Sequence, residues 1–181
     1  KYTTLKRSTL INFLKKDLAN IIKTDYNISK IEQNDKKIKL SFQNNEIIVC
    51  DYLIISDGVF SKSKSLISNN KIKPKYNNTL AIRGILTKSP EKIDNKNIAL
   101  FLGSNFHHVI YPVNTSGELN FIAIMKYKLS EEEQNNYSLF SDNFFIKKIF
   151  EKIPLKNKDF LNELKELKIF PVFISENFYK L

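Results

Sequence analysis

The sequence has a single cysteine, Cys50, and this scarcity excludes an internal disulfide and a metal site built from cysteines. Its two histidines are adjacent, and it contains no HExxH-like spacing, so we expect no zinc site. It also has no apolar run of the length needed to cross a bilayer. We therefore expect a protein of a reducing compartment, the cytoplasm, without a transmembrane segment.

Glycine and arginine are also scarce. The four glycines, at positions 58, 84, 103 and 117, form no GxGxxG motif. Only Arg7 and Arg83 contribute arginine to the 29 basic residues. Since lysine is the default cation here, an arginine indicates a position that needs a planar fork of donors, such as one facing an anion.

The net charge of +10 favours nucleic acid as a first hypothesis. The lysines, however, are scattered along the chain, and Asn and Ile are abundant everywhere, which is typical of a genome rich in A/T codons. A nucleic-acid-binding α/β module would need a contiguous basic face with exposed aromatic side chains. We keep that module as an alternative and expect no nucleic acid partner.

The first half of the sequence predicts a helix followed by a small sheet. Leu10, Leu14, Leu18 and Ile21 form one apolar stripe of a helix over residues 7–23, with Thr3 or Thr4 as its N-cap. Alternating segments then predict an antiparallel meander with strands at 26–31, 37–42 and 46–50 and turns at 34–35 and 44–45.

A continuous apolar run, residues 52–55, is typical of a strand buried on both faces of a parallel sheet. It leads directly into Asp57-Gly58, and Ser61 can cap a helix over 61–67. Ligands of such sheets lie beyond the carboxyl ends of the strands, and helix N-termini favour phosphate. An ordinary turn would also explain the Asp-Gly pair.

The second half predicts longer strands and then helices. Strands are expected at 79–86 and 98–102, a hairpin pairs 107–113 with 119–125, helices span 143–152 and 158–167, and residues 169–173 form an extended edge. Strand alternation places His107 and Tyr111 on one face, about 13 Å apart, where both could border one ring-sized cavity. His108 points the other way and is expected to be solvent-facing or structural, and Arg83 shares a side with Thr79 and Ala81.

Residues 51–64, DYLIISDGVFSKSK, resemble the DG fingerprint of the class A FAD-dependent aromatic monooxygenases. These are the relatives of para-hydroxybenzoate hydroxylase, salicylate hydroxylase and the ubiquinone-biosynthesis hydroxylases. The matching positions are Asp51, Ser56, Asp57, Gly58 and Ser61. Lys64 stands where the family usually has Arg, which keeps the charge but loses the fork of donors.

Other features resemble the family in the same order along the chain. Arg7 with Leu10 resembles its Arg-x-x-Leu helix start, and Arg83-Gly84 resembles the entry to its substrate domain. The segment from Gly103 through His107 and Tyr111-Pro112 to Asn120-Phe121 resembles the salicylate-hydroxylase-like branch. The family's GxGxxG and Gly-Asp-Ala motifs are missing, and the sequence starts without Met. We therefore expect an internal fragment that would hold FAD poorly by itself.

The resemblance implies an α/β fold in two parts. Residues 1–72 would be part of a Rossmann-like FAD-binding domain, and residues 73–181 a truncated mixed β-sheet substrate domain with helices on one side. FAD would be bound by Arg7, Asp57, Gly58 and Ser61, with NADH or NADPH as co-substrate. The implied reaction is hydroxylation of a phenol-like aromatic substrate by O2.

The resemblance also implies roles in the substrate site. His107 and Tyr111 would be the catalytic residues, orienting and deprotonating the phenol. Arg83 would meet a substrate carboxylate or an NAD(P)H phosphate, or would simply pair with a surface acid. Half-buried His and Tyr side chains without a catalytic role, and a solvated Arg7, remain alternatives. A halogenase or a geranylgeranyl-type reductase of the same fold is the alternative activity, and a homodimer is left open.

Overall fold

A computed structural model describes residues 4–68, 73–90, 93–94, 96–153 and 162–175 of the chain. The chain divides into two compact units. The larger unit combines Lys1–Leu14 with Tyr76–Val172, and the smaller combines Lys15–Lys75 with Phe173–Leu181. The N-terminal segment is thus grouped with the second half of the chain, whereas the sequence-based division placed it with residues 15–72.

The smaller unit contains the three-stranded antiparallel meander that the sequence predicts. Its strands are β1 (Ile28–Gln33), β2 (Ile38–Phe42) and β3 (Ile47–Cys50), in the order β1-β2-β3. Both predicted turns are confirmed. The side-chain oxygen of Asn34 accepts the backbone N–H groups of Lys36 and Lys37, and Asn45 adopts a φ of 67°.

The prediction of a buried parallel strand over residues 52–55 is wrong for this structure. The segment forms no strand, and the Tyr52 and Ile54 side chains are 89% and 90% exposed. A doubly buried strand needs neighbours on both sides, and none of the described strands pairs with this segment. The helix predicted after it is confirmed as α2 (Lys62–Ser68).

The larger unit is built on a five-stranded sheet with the order β5-β6-β7-β4-β8. Its strands are β4 (Lys75–Leu86), β5 (Ala99–Leu102), β6 (Phe106–Pro112), β7 (Leu119–Lys126) and β8 (Lys165–Ile174). The predicted hairpin is confirmed, since β6 and β7 pair antiparallel from Phe106↔Met125 to Pro112↔Leu119. The Asn114 side chain accepts the N–H groups of Ser116 and Glu118 and so fixes the connecting turn.

One face of this sheet forms the core of the larger unit. Its side chains are almost fully buried and come from three adjacent strands: Leu80, Ile82, Ile110, Leu119, Phe121 and Ala123. Helix α4 (Asn143–Glu151) is capped by the Asp142 carboxylate and buries Phe145 and Ile149. Before it lie α3 (Glu131–Asn135), which begins with a capping box at Ser130, and a 3₁₀ helix (Tyr137–Ser141).

Two helix predictions differ from the structure. Helix α1 (Arg7–Lys15) ends well before residue 23, buries no residue and leaves its apolar stripe exposed, so nothing extends it by packing. Thr4 is not its N-cap, because the helix begins at Arg7 and Lys6 directly precedes it. The Thr4 hydroxyl instead donates to the Pro112 carbonyl, and Thr3 lies outside the described residues. Of the helix predicted over 158–167, residues 158–161 also lie outside them, and residues 165–167 are strand β8.

The remaining secondary-structure predictions are confirmed. Helix α4 matches the helix expected over 143–152, and β8 is the expected extended edge. The chain thus contains both helices and strands, as the predicted α/β class requires. The strand pairs β1–β2, β2–β3, β4–β7, β5–β6 and β6–β7 are all antiparallel. Among the described helices, none is both long and apolar enough to cross a bilayer.

Candidate functional site

The side of the five-stranded sheet that faces away from the core, called the open face below, carries the predicted substrate residues. Its central row runs from Val109 on β6 through Ile122 on β7 to Arg83 on β4, because each residue is paired with the next. Neighbouring strands lie about 4.8 Å apart, so Arg83 is about 10 Å from Val109 across the sheet.

Two further rows flank the central one. His107 pairs with Ile124, and Tyr111 pairs with Asn120. His107, Val109 and Tyr111 are half-buried, whereas Phe106, His108 and Ile110 between them are buried. The structure therefore brings His107, Tyr111 and Arg83 to one face, in the arrangement that strand alternation predicts. Asn120 lies beside Tyr111 and was missed from the sequence, because only the hairpin register reveals it.

His107 and Tyr111 line two different cavities. One, of about 340 Å³, is called the apolar cavity and is lined by Thr4, Leu5, Leu10, Ile98, Val109 and Tyr111. The other, of about 330 Å³, is called the loop cavity because residues 103–105 between β5 and β6 form one wall, and His107 lines it. Tyr111 lines the first of these cavities and His107 the second, and a single cavity bordered by both side chains stays a prediction.

The N-terminal segment forms one wall of the apolar cavity. The Lys6 ammonium lies 2.6 Å from a Glu118 carboxylate oxygen, and this contact raises the pKa of Lys6 and lowers that of Glu118. The Thr4 hydroxyl bonds to the Pro112 carbonyl, as described above. These contacts hold Leu5 and Leu10 against the Tyr111 end of β6, which makes this cavity mostly apolar.

The loop cavity is lined by more polar side chains than the apolar cavity, although its surface is also mostly apolar. Among the described residues, its lining includes Ser104, Asn105, His107 and Lys126, and no Asp or Glu. The backbone N–H of Lys126 donates to the Asn105 carbonyl at 3.0 Å, which places the Lys126 side chain next to the loop. Sequence reasoning missed Lys126 because it is one of many lysines, and only the pairing of β7 with its neighbours distinguishes it.

Arg83 is exposed and lies over an aromatic ring. Its guanidinium carbon is 5.5 Å from the ring centroid of Phe170 on β8. This cation–π contact uses the flat face of the guanidinium and leaves the in-plane N–H donors available for an anion. Arg83 makes no ion pair with an acid within the described part of the chain, so the alternative of a simple surface ion pair is not supported.

His108 is structural, which was one of the two expectations for it. It is buried on the core face and stacks on Phe101 with ring centroids 4.3 Å apart; Phe106 and Phe121 lie beside it. Burial lowers the pKa of His108, and the neighbouring His107 lowers it further. Its Nδ1 has no hydrogen-bond partner among the described residues, so the fold favours the neutral ring.

In the smaller unit, Asp57 and Gly58 form the predicted turn. Gly58 has a φ of 82°, and the Ser61 N–H donates to its carbonyl at 3.2 Å. A Cβ at Gly58 would meet no atom within 4 Å, so the turn is open to solvent. The Asp57 carboxylate accepts the Ser63 N–H at 3.2 Å. Burial acts to raise the pKa of Asp57, but hydrogen bonds from Ser61 and Ser63 outweigh it and lower this pKa.

Ser61 acts as the N-cap of α2, since its hydroxyl oxygen accepts the Lys64 N–H at 3.1 Å. It is buried, whereas Asp57 and Gly58 are exposed. Helix α2 has only seven residues, so its macrodipole offers little to a phosphate. Arg7 belongs to the larger unit, in the first turn of α1, where its side chain is exposed.

No protein family and no curated protein match the sequence. Solved structures do. A variant of Klebsiella pneumoniae HpxO complexed with FAD superposes with a TM-score of 0.69 at 15% identity, over 97% of this chain and 46% of that one. The chain shares the fold of nearly half of that FAD-bound structure. Two hydroxylases of known structure also share this fold.

Salicylate hydroxylase matches with a TM-score of 0.62 at 16% identity, over 92% of this chain and 45% of its own. The 2,6-dihydroxypyridine-3-hydroxylase of Arthrobacter nicotinovorans matches with a TM-score of 0.59 at 13% identity, over 82% and 44%. The chain therefore spans about half the length of these structures. At such identities the likeness establishes the hydroxylase fold, and the roles of individual residues must be argued from their geometry.

Proposed function

We propose that the chain is part of an FAD-dependent, NAD(P)H-using monooxygenase that hydroxylates a phenol-like aromatic substrate. The observation that carries this proposal is the hydroxylase fold, which extends over almost the whole chain. The open face supports it, since one exposed sheet surface gathers an imidazole, a phenol and a guanidinium. We propose that the smaller unit contributes to the FAD site and the open face to the substrate site.

The residues proposed for the cofactor fit it to different degrees. Asp57 and Gly58 form an exposed, open turn, where a hydroxyl or amide of the cofactor could approach the backbone. Arg7 is exposed and would offer its guanidinium to the pyrophosphate. Ser61 is buried and its hydroxyl already engaged, so it would act indirectly by holding Asp57 in place. FAD, once reduced by NAD(P)H, supplies the activation of O2.

We place the aromatic ring of the substrate in the apolar cavity. Its volume of about 340 Å³ is near the lower end of the range of about 300–1,000 Å³ for ligand sites. Tyr111 would orient the hydroxyl group of the ring, with Asn120 beside it. His107 lies about 13 Å further along the strand, so it would contact another part of the ligand or move a proton through intervening groups.

The size of the two cavities favours hydroxylation over reduction of an isoprenoid chain. A geranylgeranyl-type reductase needs a long lipid groove, whereas the apolar cavity and the loop cavity are each the size of a small ligand. A halogenase would share the FAD site and differ in its product. We further propose a cytoplasmic protein without a nucleic acid partner, and homodimerisation remains a prediction to be tested by sedimentation.

The test is made on the complete protein. Purified protein is incubated with FAD, free flavin is removed, and the visible spectrum is recorded. We expect an oxidised-flavin spectrum, weakened uptake in Asp57→Asn and unchanged uptake in Asp35→Asn, a control in an exposed turn of the meander. Phenols are then screened for stimulated NAD(P)H oxidation, and the product is analysed for one added oxygen atom.

A colourless protein that takes up no FAD would overturn the proposal. A flavoprotein that halogenates, or that reduces an isoprenoid chain, would keep the cofactor assignment and replace the reaction. Tyr111→Phe serves as the site variant, and we expect a loss of turnover without a loss of bound flavin.

A further inference from the structure

The loop cavity has a chemistry that hydroxylation of a ring does not require. Six side chains that can donate hydrogen bonds line it together: Asn77, Thr79, Ser104, Asn105, His107 and Lys126. No carboxylate of the described residues lines it. A concave site that offers N–H and O–H donors, one of them on a cation, and no repelling carboxylate is suited to an oxyanion.

The strand register explains why these donors meet. Lys126 pairs with Thr79 of β4 on one side, and its N–H bonds to the Asn105 carbonyl on the other. Its side chain thus belongs to the same face as Ile124, two residues before it, and Ile124 pairs with His107. Lys126 therefore lies on the same face as His107, two residues along β7 from the residue that pairs with this histidine.

Part of this donor set is also uncommitted. Lys126 takes part in none of the ion pairs of the described residues, which join Lys6, Lys30 and Lys37 to their acids. The loop is held by its backbone, because the Asn105 carbonyl accepts the Lys126 N–H at 3.0 Å. The Ser104 and Asn105 side chains are not needed to close this loop, which leaves them available for a ligand.

We propose that the loop cavity binds a single oxyanion, a carboxylate or a phosphate group, with the Lys126 ammonium as its counter-charge. Binding of the anion does not depend on a flavin. The assignment of this anion to the substrate rests on the proposed function. Under that function the apolar cavity takes the ring and the loop cavity takes the acidic end, so the substrate is an elongated aromatic acid.

The experiment is a binding titration of the complete protein at constant ionic strength, in which the backbone amide NMR shifts are recorded at each step. The probes are benzoate, inorganic phosphate and the neutral analogue benzyl alcohol. The variants are Lys126→Gln and, as a matched control, Lys128→Gln, which removes an exposed lysine on the same segment outside the cavity. Dispersion of the amide spectrum shows that each variant is folded.

We expect an anion to shift the amides of Ser104, Asn105 and His107, and benzyl alcohol to leave them unchanged. Loss of a charged hydrogen bond lowers affinity by about tenfold or more, and we expect this for Lys126→Gln only. Benzoate as the better probe identifies a carboxylate, and phosphate as the better probe identifies a phosphate group. The proposal is overturned if neither anion shifts these amides, or if Lys128→Gln weakens binding as much.

These outcomes are separable from the failure of the proposed function. Anion binding that depends on Lys126, in a complete protein that takes up no FAD, would retain the oxyanion site and remove the monooxygenase. A flavin-containing hydroxylase whose loop cavity binds no anion would retain the monooxygenase and remove the oxyanion site.

Discussion

The guanidinium of Arg83 lies over the ring of Phe170, 5.5 Å from its centroid, where β4 and β8 run side by side in the sheet. Phe170 is 43% exposed, so this contact is formed near solvent. An exposed cation–π contact contributes about 0.5–1 kcal/mol. We expect a double-mutant cycle of Arg83→Gln and Phe170→Leu, measured by urea unfolding, to give a coupling free energy of that size. Strictly additive effects would show that the two side chains do not interact in solution.

His108 predicts an acid-sensitive fold. Its pKa in the folded protein is below the ordinary value of 6.5, so the unfolded chain binds a proton that the folded chain does not. The free energy of unfolding should therefore be highest above pH 6.5 and should decrease as the pH drops below 6.5. We expect His108→Phe, which keeps the stacking on Phe101, to reduce this loss of stability between about pH 6.5 and pH 5.

The control for this prediction is His107→Gln, which removes a half-buried histidine from the opposite face of the same strand. It should leave most of the pH dependence in place. If His108→Phe unfolds with the same pH profile as the unsubstituted chain, His108 is not the group responsible.

Gly84 and Gly103 should differ in their tolerance of a methyl group. A Cβ at Gly84 would lie 2.8 Å from the Leu164 Cδ2 atom, the far end of a flexible side chain. A Cβ at Gly103 would lie 2.8 Å from the Phe106 carbonyl oxygen, which is fixed in the backbone. Overpacking costs about 1–3 kcal/mol, and we expect Gly103→Ala to lose more stability than Gly84→Ala.

The double variant Gly84→Ala/Leu164→Ala supplies the check, because removal of the Leu164 side-chain end should cancel part of the clash. Its unfolding free energy, measured by chemical denaturation, should exceed the value expected from adding the two single effects. A larger loss for Gly84→Ala than for Gly103→Ala would contradict the packing described for both glycines.

Substitution of Ile54 should change the surface properties of the chain rather than its stability. Its side chain is 90% exposed, so Ile54→Lys should change the free energy of unfolding by no more than about 0.5 kcal/mol. It should nevertheless lower binding of a hydrophobic dye and self-association of the chain, because it removes exposed apolar surface. Asn27→Lys adds the same charge at an exposed polar position. It should lower dye binding and self-association less than Ile54→Lys does.

Local patterns were sufficient where a segment makes its own structure. The meander and the β6–β7 hairpin follow from alternation and from Asn residues whose side chains bond their own turns. The shared face of His107 and Tyr111 follows from the two-residue period of a strand. The division of that face into two cavities could not be predicted, because it depends on the N-terminal segment and on residues 103–105.

Patterns failed where a segment depends on distant partners. The apolar run over 52–55 has the composition of a buried strand, but hydropathy cannot report whether neighbouring strands are present. Residues 165–167 favour a helix by composition, yet they join the sheet edge beside β4, with Glu166 at a φ of 52°. Lys126 was missed for a related reason, since only cross-strand pairing places it beside His107.

The exposed segment over residues 52–55 has a consequence for its own backbone. No described strand accepts its N–H groups, so in deuterated water their hydrogens should be replaced about as fast as those of a random coil. The hydrogens between β6 and β7 must wait for the sheet to open. A polypeptide that paired with residues 52–55 would slow the exchange of these hydrogens, so the segment can report the binding of such a partner.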